Sequence, residues 1–154
     1  MGGNSGAAAT LGAAVYLSCG LVAVFSSSLI SSASTLSTGD YLLLWGEAIV
    51  MTLLGFLLLV SAFLVNSRDS LRQIVGFVMG SLVSVIGVID ALSLINLTTG
   101  LVSQGIAYNP QLSIALAYLQ IGVIITIFAG FPLGLVGSLR MFHEDETEDS
   151  EIAQ

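Results

Sequence analysis

Four long stretches of the chain are almost wholly apolar, and short polar segments separate them. Residues 7–30, 41–65, 71–95 and 111–139 are runs of Leu, Val, Ile, Ala, Gly and Ser with few ionisable side chains. About 20 helical residues at 1.5 Å each cross the ~30 Å hydrocarbon core of a bilayer, and every stretch reaches that length. The pattern predicts an all-α protein: a four-helix transmembrane bundle, crossing the membrane four times, with no long internal repeat.

The breaks have different characters. Residues 31–40 are rich in Ser and Thr and end in Gly39-Asp40, which places Asp40 as the cap of a helix starting at Tyr41. Tyr41 and Trp45 fall where an interfacial aromatic belt is expected. Residues 66–72 form a short link holding Arg68, Asp69 and Arg72. Residues 96–110 read as the longest loop, with Leu101, Val102 and Ile106 suited to a short interfacial helix. Asn96-Leu97-Thr98 matches a glycosylation acceptor but is expected to lie against the membrane surface, where it is plain loop sequence. In the fourth stretch Pro132 removes a backbone donor and predicts a kink near Phe128. Residues 141–154 read as an acidic, disordered tail.

Small residues supply the contact surfaces. Ala and Gly make the first helix thin, so a neighbouring backbone can approach it closely in lipid. In the third helix Gly76, Gly80 and Ser84 recur every four residues and contain a GxxxG pattern. Gly87 and Ala91 start a second row, so this helix is expected to pack on two neighbours.

Composition agrees with lipid as the solvent. Among 154 residues, 55% are hydrophobic and 8% charged, and the mean hydropathy is +0.99. Soluble domains carry about 25% charged residues. The net charge of −7 is concentrated at one end, since six of the ten acids lie in the last eleven residues. The bases are Arg68, Arg72 and Arg140, all on one side of a four-span layout. By the positive-inside rule that side is cytoplasmic, with both termini on it, and the expected location is a cell membrane, plasma or inner. The N-terminal stretch has no basic lead-in and reads as a retained helix, not a cleaved leader. Met1-Gly2 is not a myristoylation signal, because Gly6 stands where Ser or Thr is required. A surface without lysine or a basic patch offers nothing to nucleic-acid phosphates.

Chemistry-bearing residues are few. Cys19 is alone and His143 lies beyond the apolar stretches, so no His-rich metal site or paired haem ligation is expected within the chain. No cofactor is expected other than bound lipid, and no enzymatic activity. The carboxyls stand out. Glu47 lies 22 positions before Asp69, and Asp90 lies 21 positions after it. If both segments are helices, the two acids share one depth, ~8–10 Å beneath the outer boundary at 1.5 Å per residue. Gln120 and the Ser26–Ser28 run fall near the same level, which suggests a single polar layer. Intramembrane acids are candidates for a proton or cation site, or for hydrogen bonds that hold helices together.

These features favour a non-catalytic accessory subunit of a larger membrane complex, such as a respiratory or other energy-transducing assembly. Its partners would be other membrane subunits or further copies of itself, within the lipid bilayer. The alternative is a homo-oligomeric proton or cation channel or transporter that uses Glu47 and Asp90. A third reading is an adhesion or assembly factor acting through the outer loops or the tail.

Overall fold

In a computed structural model the described residues are 3–33, 36–103 and 110–136. Arg140, His143 and the acidic tail expected over 141–154 lie outside them. Among the described residues four helices make up the fold: α1 (Gly3–Ala33), α2 (Thr38–Val65), α3 (Ser70–Ser103) and α4 (Pro110–Ile125). A π-helical turn, Thr126–Gly130, prolongs α4, and residues 131–136 continue the helix. All four are long and apolar enough to cross a membrane. The chain is a multi-pass integral membrane protein. Consecutive helices pack side by side, α1 most extensively on α2 and α2 on α3, and α4 closes the ring against α1.

The outward face is lipid-compatible. Phe25, Phe63 and Phe128 are among its most exposed side chains, with Leu and Ile filling the belt between them. With apolar groups on both sides, burying them gives no large preference for one packing. Helix contact then depends on close approach and interhelical hydrogen bonds. Both are present. A Cβ on Gly20 would lie 2.7 Å from the Thr52 Cα, and one on Gly55 would lie 2.8 Å from the Leu17 backbone nitrogen, so α1 and α2 interlock. Trp45 Nε1 donates to Ser31 Oγ at 3.1 Å across the same pair. Tyr41 and Trp45 sit beside one another with ring centroids 6.4 Å apart.

The link between α2 and α3 is closed by local bonds. The Asn66 amide donates to the Ala62 carbonyl at 3.3 Å and the Ser67 amide to the Leu64 carbonyl at 3.1 Å. Asp69 starts α3 by accepting the Leu71 amide at 3.2 Å. It also pairs with Arg72 at 3.5 Å in an exposed contact. Such a surface pair contributes little stability.

Two boundaries differ from the sequence expectation. Ser37, not Asp40, caps α2: its Oγ accepts the Asp40 amide at 3.1 Å and donates to Asp40 Oδ2 at 2.7 Å. Asp40 lies inside the first turn, where its charge favours the positive helix end. The larger difference is in α3, which runs on to Ser103 where a loop from Asn96 was expected. The polar residues there bond back to their own helix. Thr98 and Thr99 donate to the Ile95 carbonyl at 2.9 and 2.8 Å, and Ser103 donates to Gly100 at 2.6 Å. Leu101 and Thr98 are buried against the rest of the bundle. Asn96-Leu97-Thr98 is therefore helical. At 1.5 Å per residue α3 is ~51 Å long, well beyond the hydrocarbon core.

The expected kink takes the form of the π turn. Phe131 donates its amide to the Thr126 carbonyl five residues back, and Phe128 lies within that turn. Pro132, without an N–H, leaves the Phe128 carbonyl no partner four residues on.

Candidate functional site

Glu47 and Asp90 come together at the seam between α2 and α3. Asp90 retains only 7% of its surface, while Glu47 is half-buried at the edge of the seam. The two carboxyl groups lie close enough to interact directly across the seam. No hydrogen bond among the described residues reaches the buried Asp90 Oδ2, and the Glu47 carboxyl is the acidic group next to it. A bond between two carboxyl groups needs a proton on one of them, because an ionised carboxylate only accepts. Ser93, three residues after Asp90 on α3, donates its hydroxyl to Glu47 Oε1 at 2.5 Å.

The site lies within the apolar belt. Leu42, Leu43, Ile49 and Val50 flank Glu47 along α2, and Ile89 and Leu92 flank Asp90 on α3, all of them outward-facing. Measured along the helices, Glu47 is ~14 Å from the start of α2 and Asp90 is ~20 Å from the end of α3. Both values exceed the depth expected from the sequence, because both helices extend further.

Helix register brings the pair together. Ser61 of α2 donates to the Gly76 carbonyl of α3 at 2.6 Å. A Cβ on Gly76 would fall 2.6 to 2.7 Å from Val65 atoms, so only a glycine admits α2 this closely. Gly76, Gly80 and Ser84 are all buried within the bundle. The Gly76 end of this small-residue row is thus used inside the chain, against α2.

The single polar layer suggested by the sequence is not tied together by hydrogen bonds. Gln120 is half-buried on α4, and among the described residues no hydrogen bond joins it to either carboxyl. Ser26 donates to the Ala115 carbonyl at 3.2 Å and Ser27 to the Ala23 carbonyl at 2.6 Å. These two serines serve backbone carbonyls and leave the acids alone. Arg68 and Arg72 lie exposed at the far end of the α2–α3 hairpin.

The neighbours that α1 does supply were not legible in the sequence. Tyr16 is fully buried and donates its hydroxyl to the Ser84 carbonyl of α3 at 3.0 Å. Cys19, buried one turn on, lies beside Thr126 of the π turn. Asp90 is close enough to act electrostatically on both. A signal did exist for Ser93, which stands three residues from Asp90 on one helix face. Tyr16 had only its isolation among small residues.

The chain matches no protein-family model, no curated protein and no solved structure. Functional inference therefore begins from the paired carboxyls.

Proposed function

We propose that this protein takes up and releases protons inside the membrane at the Glu47–Asp90 pair, and so serves as a small proton channel or transporter. The observation that carries the reading is the close approach of the two carboxyl groups, with Asp90 buried and its Oδ2 without a hydrogen-bond partner among the described residues. Two acids that share a proton can exchange it without burying a second net charge, which low dielectric would oppose. Ser93 holds Glu47 at the half-buried edge of the seam. A proton suits the site better than a metal ion. Among the described residues no group of three or more His, Cys, Asp or Glu side chains converges, whereas hard cations take six or more oxygen ligands.

Reconstitution of the purified protein in liposomes with an internal pH dye and an imposed potassium diffusion potential tests this. The unmodified protein should acidify or alkalinise the lumen according to the sign of the potential. Glu47→Gln and Asp90→Asn should each remove the flux while the helical content stays unchanged. Flux equal to the unmodified protein in both variants would discard the proposal.

A second reading, an accessory subunit of a larger membrane assembly, draws on a different feature. An apolar groove of about 460 Å³ runs between α1 and α4, with Leu11, Ala14, Val22, Tyr118 and Ile121 on its walls. A groove of this kind suits the close approach of a helix from another subunit. This reading expects co-purification with further subunits from native membrane in mild detergent. A lone, stable monomer would count against it.

A further inference from the structure

A glycine inside a helix is less favourable than alanine, and in lipid the close approach of another helix is what small residues supply. Gly12, Gly20, Gly55 and Gly76 are used in that way. A Cβ on any of them would stand 2.5 to 2.8 Å from an atom of a neighbouring helical segment. Three others are not used. Among the described residues a Cβ on Gly46 or Gly100 would meet nothing within 4 Å, and one on Gly39 only the Ser37 hydroxyl at 3.9 Å.

These three lie at one end of the α2–α3 hairpin and on one side of it. Gly39 stands 30 positions before Asp69 and Gly100 stands 31 after it, so they share a level. Gly39, Leu43, Gly46 and Val50 are all exposed on α2 and fall within about 60° of one another around the helix. Leu43 precedes Ser61 by 18 residues, about five turns. The stripe therefore follows the side of α2 that Ser61 turns towards α3. On α3, Ser93, Asn96 and Gly100 form a second stripe of similar width. Ser93 marks its direction, since it bonds to Glu47 of α2. Both stripes alternate steps of three and four residues, the spacing of a helix-packing seam. They leave a track with few side chains on the outer flank of α2–α3, running past Glu47.

The acids beside this track have no counter-ion. Among the described residues the bases are Arg68 and Arg72, and Arg72 is ~27 Å from Asp90 along α3. Asp90 keeps only 7% of its surface, and its Oδ2 has no hydrogen-bond partner among the described residues. Glu47 stands half-buried beside it. Acids within a membrane pair with bases there or keep a proton.

We propose that the outer flank of α2–α3 docks a transmembrane helix of another protein, one that carries a lysine or arginine at the depth of Glu47. This rests on the reading of the chain as a subunit of a larger assembly. It gives that partner a chemistry, at a face separate from the α1–α4 groove. Gly39, Gly46 and Gly100 let the partner backbone come close, and its basic group meets the Glu47 carboxyl. One proton kept by the acid pair and one base beside it bring the net charge of the three groups to zero, which a low-dielectric belt favours. A second copy of this chain lying in the same direction does not fit, because Arg68 and Arg72 are at the opposite end of the hairpin.

The test uses the full chain purified in detergent. Its single tryptophan, Trp45, is two residues from Glu47. Energy transfer from Trp45 to a dansyl group reads the binding of single-span polyleucine peptides that carry a lysine, a glutamine or no polar residue near the centre. That placement follows from Glu47 lying ~14 Å into a ~30 Å span. The lysine peptide should bind about ten-fold more tightly than the other two, or better. Glu47→Gln should abolish the preference. Gly46→Leu fills the track, keeps both carboxyls and disturbs no contact inside the bundle. It should weaken binding of the lysine peptide about as much, with helical content unchanged. Equal binding of the three peptides, a preference that survives Glu47→Gln, or undiminished binding to Gly46→Leu would each overturn the proposal. A lone, stable monomer from native membrane overturns the subunit reading itself, whatever the peptides do, so the two failures are distinct.

Discussion

Glu47 and Asp90 repeat, two heptads along their helices, the register set by Ser61 and Gly76. Glu47 precedes Ser61 by fourteen residues and Asp90 follows Gly76 by fourteen. The Ser61 hydroxyl bond to the Gly76 carbonyl, 2.6 Å long, therefore fixes near the hairpin end what meets ~21 Å away at the carboxyls. A shift of one residue in either helix would rotate one acid by about 100° out of the seam.

Ser61→Ala should loosen this register. An interhelical hydrogen bond within a membrane contributes about 0.6 kcal/mol on average and up to ~1.7 kcal/mol. We expect a stability loss in that range, measured by thermal unfolding in detergent. A broader carboxyl C=O band should accompany it. A sharp, unshifted band would mean that other contacts hold the register.

Glycines in the chain should divide by what faces them. A Cβ at Gly12 would meet the Gly134 backbone nitrogen at 2.6 Å, and one at Gly87 would meet the Tyr16 ring, whereas one at Gly46 meets nothing within 4 Å. Gly12→Ala and Gly87→Ala should each cost about 1–3 kcal/mol by overpacking. Gly46→Ala should gain up to about 1 kcal/mol from helix propensity. Equal unfolding temperatures for all three variants would contradict the packing described here.

Pro132→Ala offers the backbone the donor it lacks. Alanine is better than proline in a helix interior by about 3 kcal/mol, so propensity alone predicts stabilisation. The π turn, however, orients Gly130 and Gly134 towards α1, where they meet Tyr16 and Gly12. A regular helix would rotate Gly134 out of that contact. We expect a lower unfolding temperature than propensity suggests, together with reduced crosslinking between cysteines introduced at 11 and 133. A higher temperature with crosslinking intact would show that the turn and the glycine contact are independent.

Topology is open to direct labelling, because Cys19 is buried and the sequence has no other cysteine. A cysteine introduced at Ser67, between α2 and α3, should react with a membrane-impermeant maleimide only after cells are opened. One at Ser37 should react in intact cells. The reverse pattern would put the arginine-bearing link outside and contradict the positive-inside assignment.

The sequence by itself determined the class and the number of crossings. Apolar length is a one-dimensional property: a run of ~20 residues either spans hydrocarbon or does not, whatever its neighbours do. The near-equal spacing of Glu47 and Asp90 about Asp69 is one-dimensional too, and put the two acids at one level before any contact was known. Facing is different, because it depends on how each helix is rotated about its axis. In lipid nearly every face of these helices is apolar, so the pattern does not reveal which side turns inward. Close glycine contacts and the Ser61–Gly76 bond set that rotation. The entry of Tyr16 and Cys19 beside Asp90, with Gln120 left unbonded to the pair, was therefore decided by tertiary packing alone. The end of α3 was hidden for a related reason. Thr98, Thr99 and Ser103 resemble loop residues in composition, and only their bonds to the preceding turn, with Leu101 buried beneath, make that segment helical.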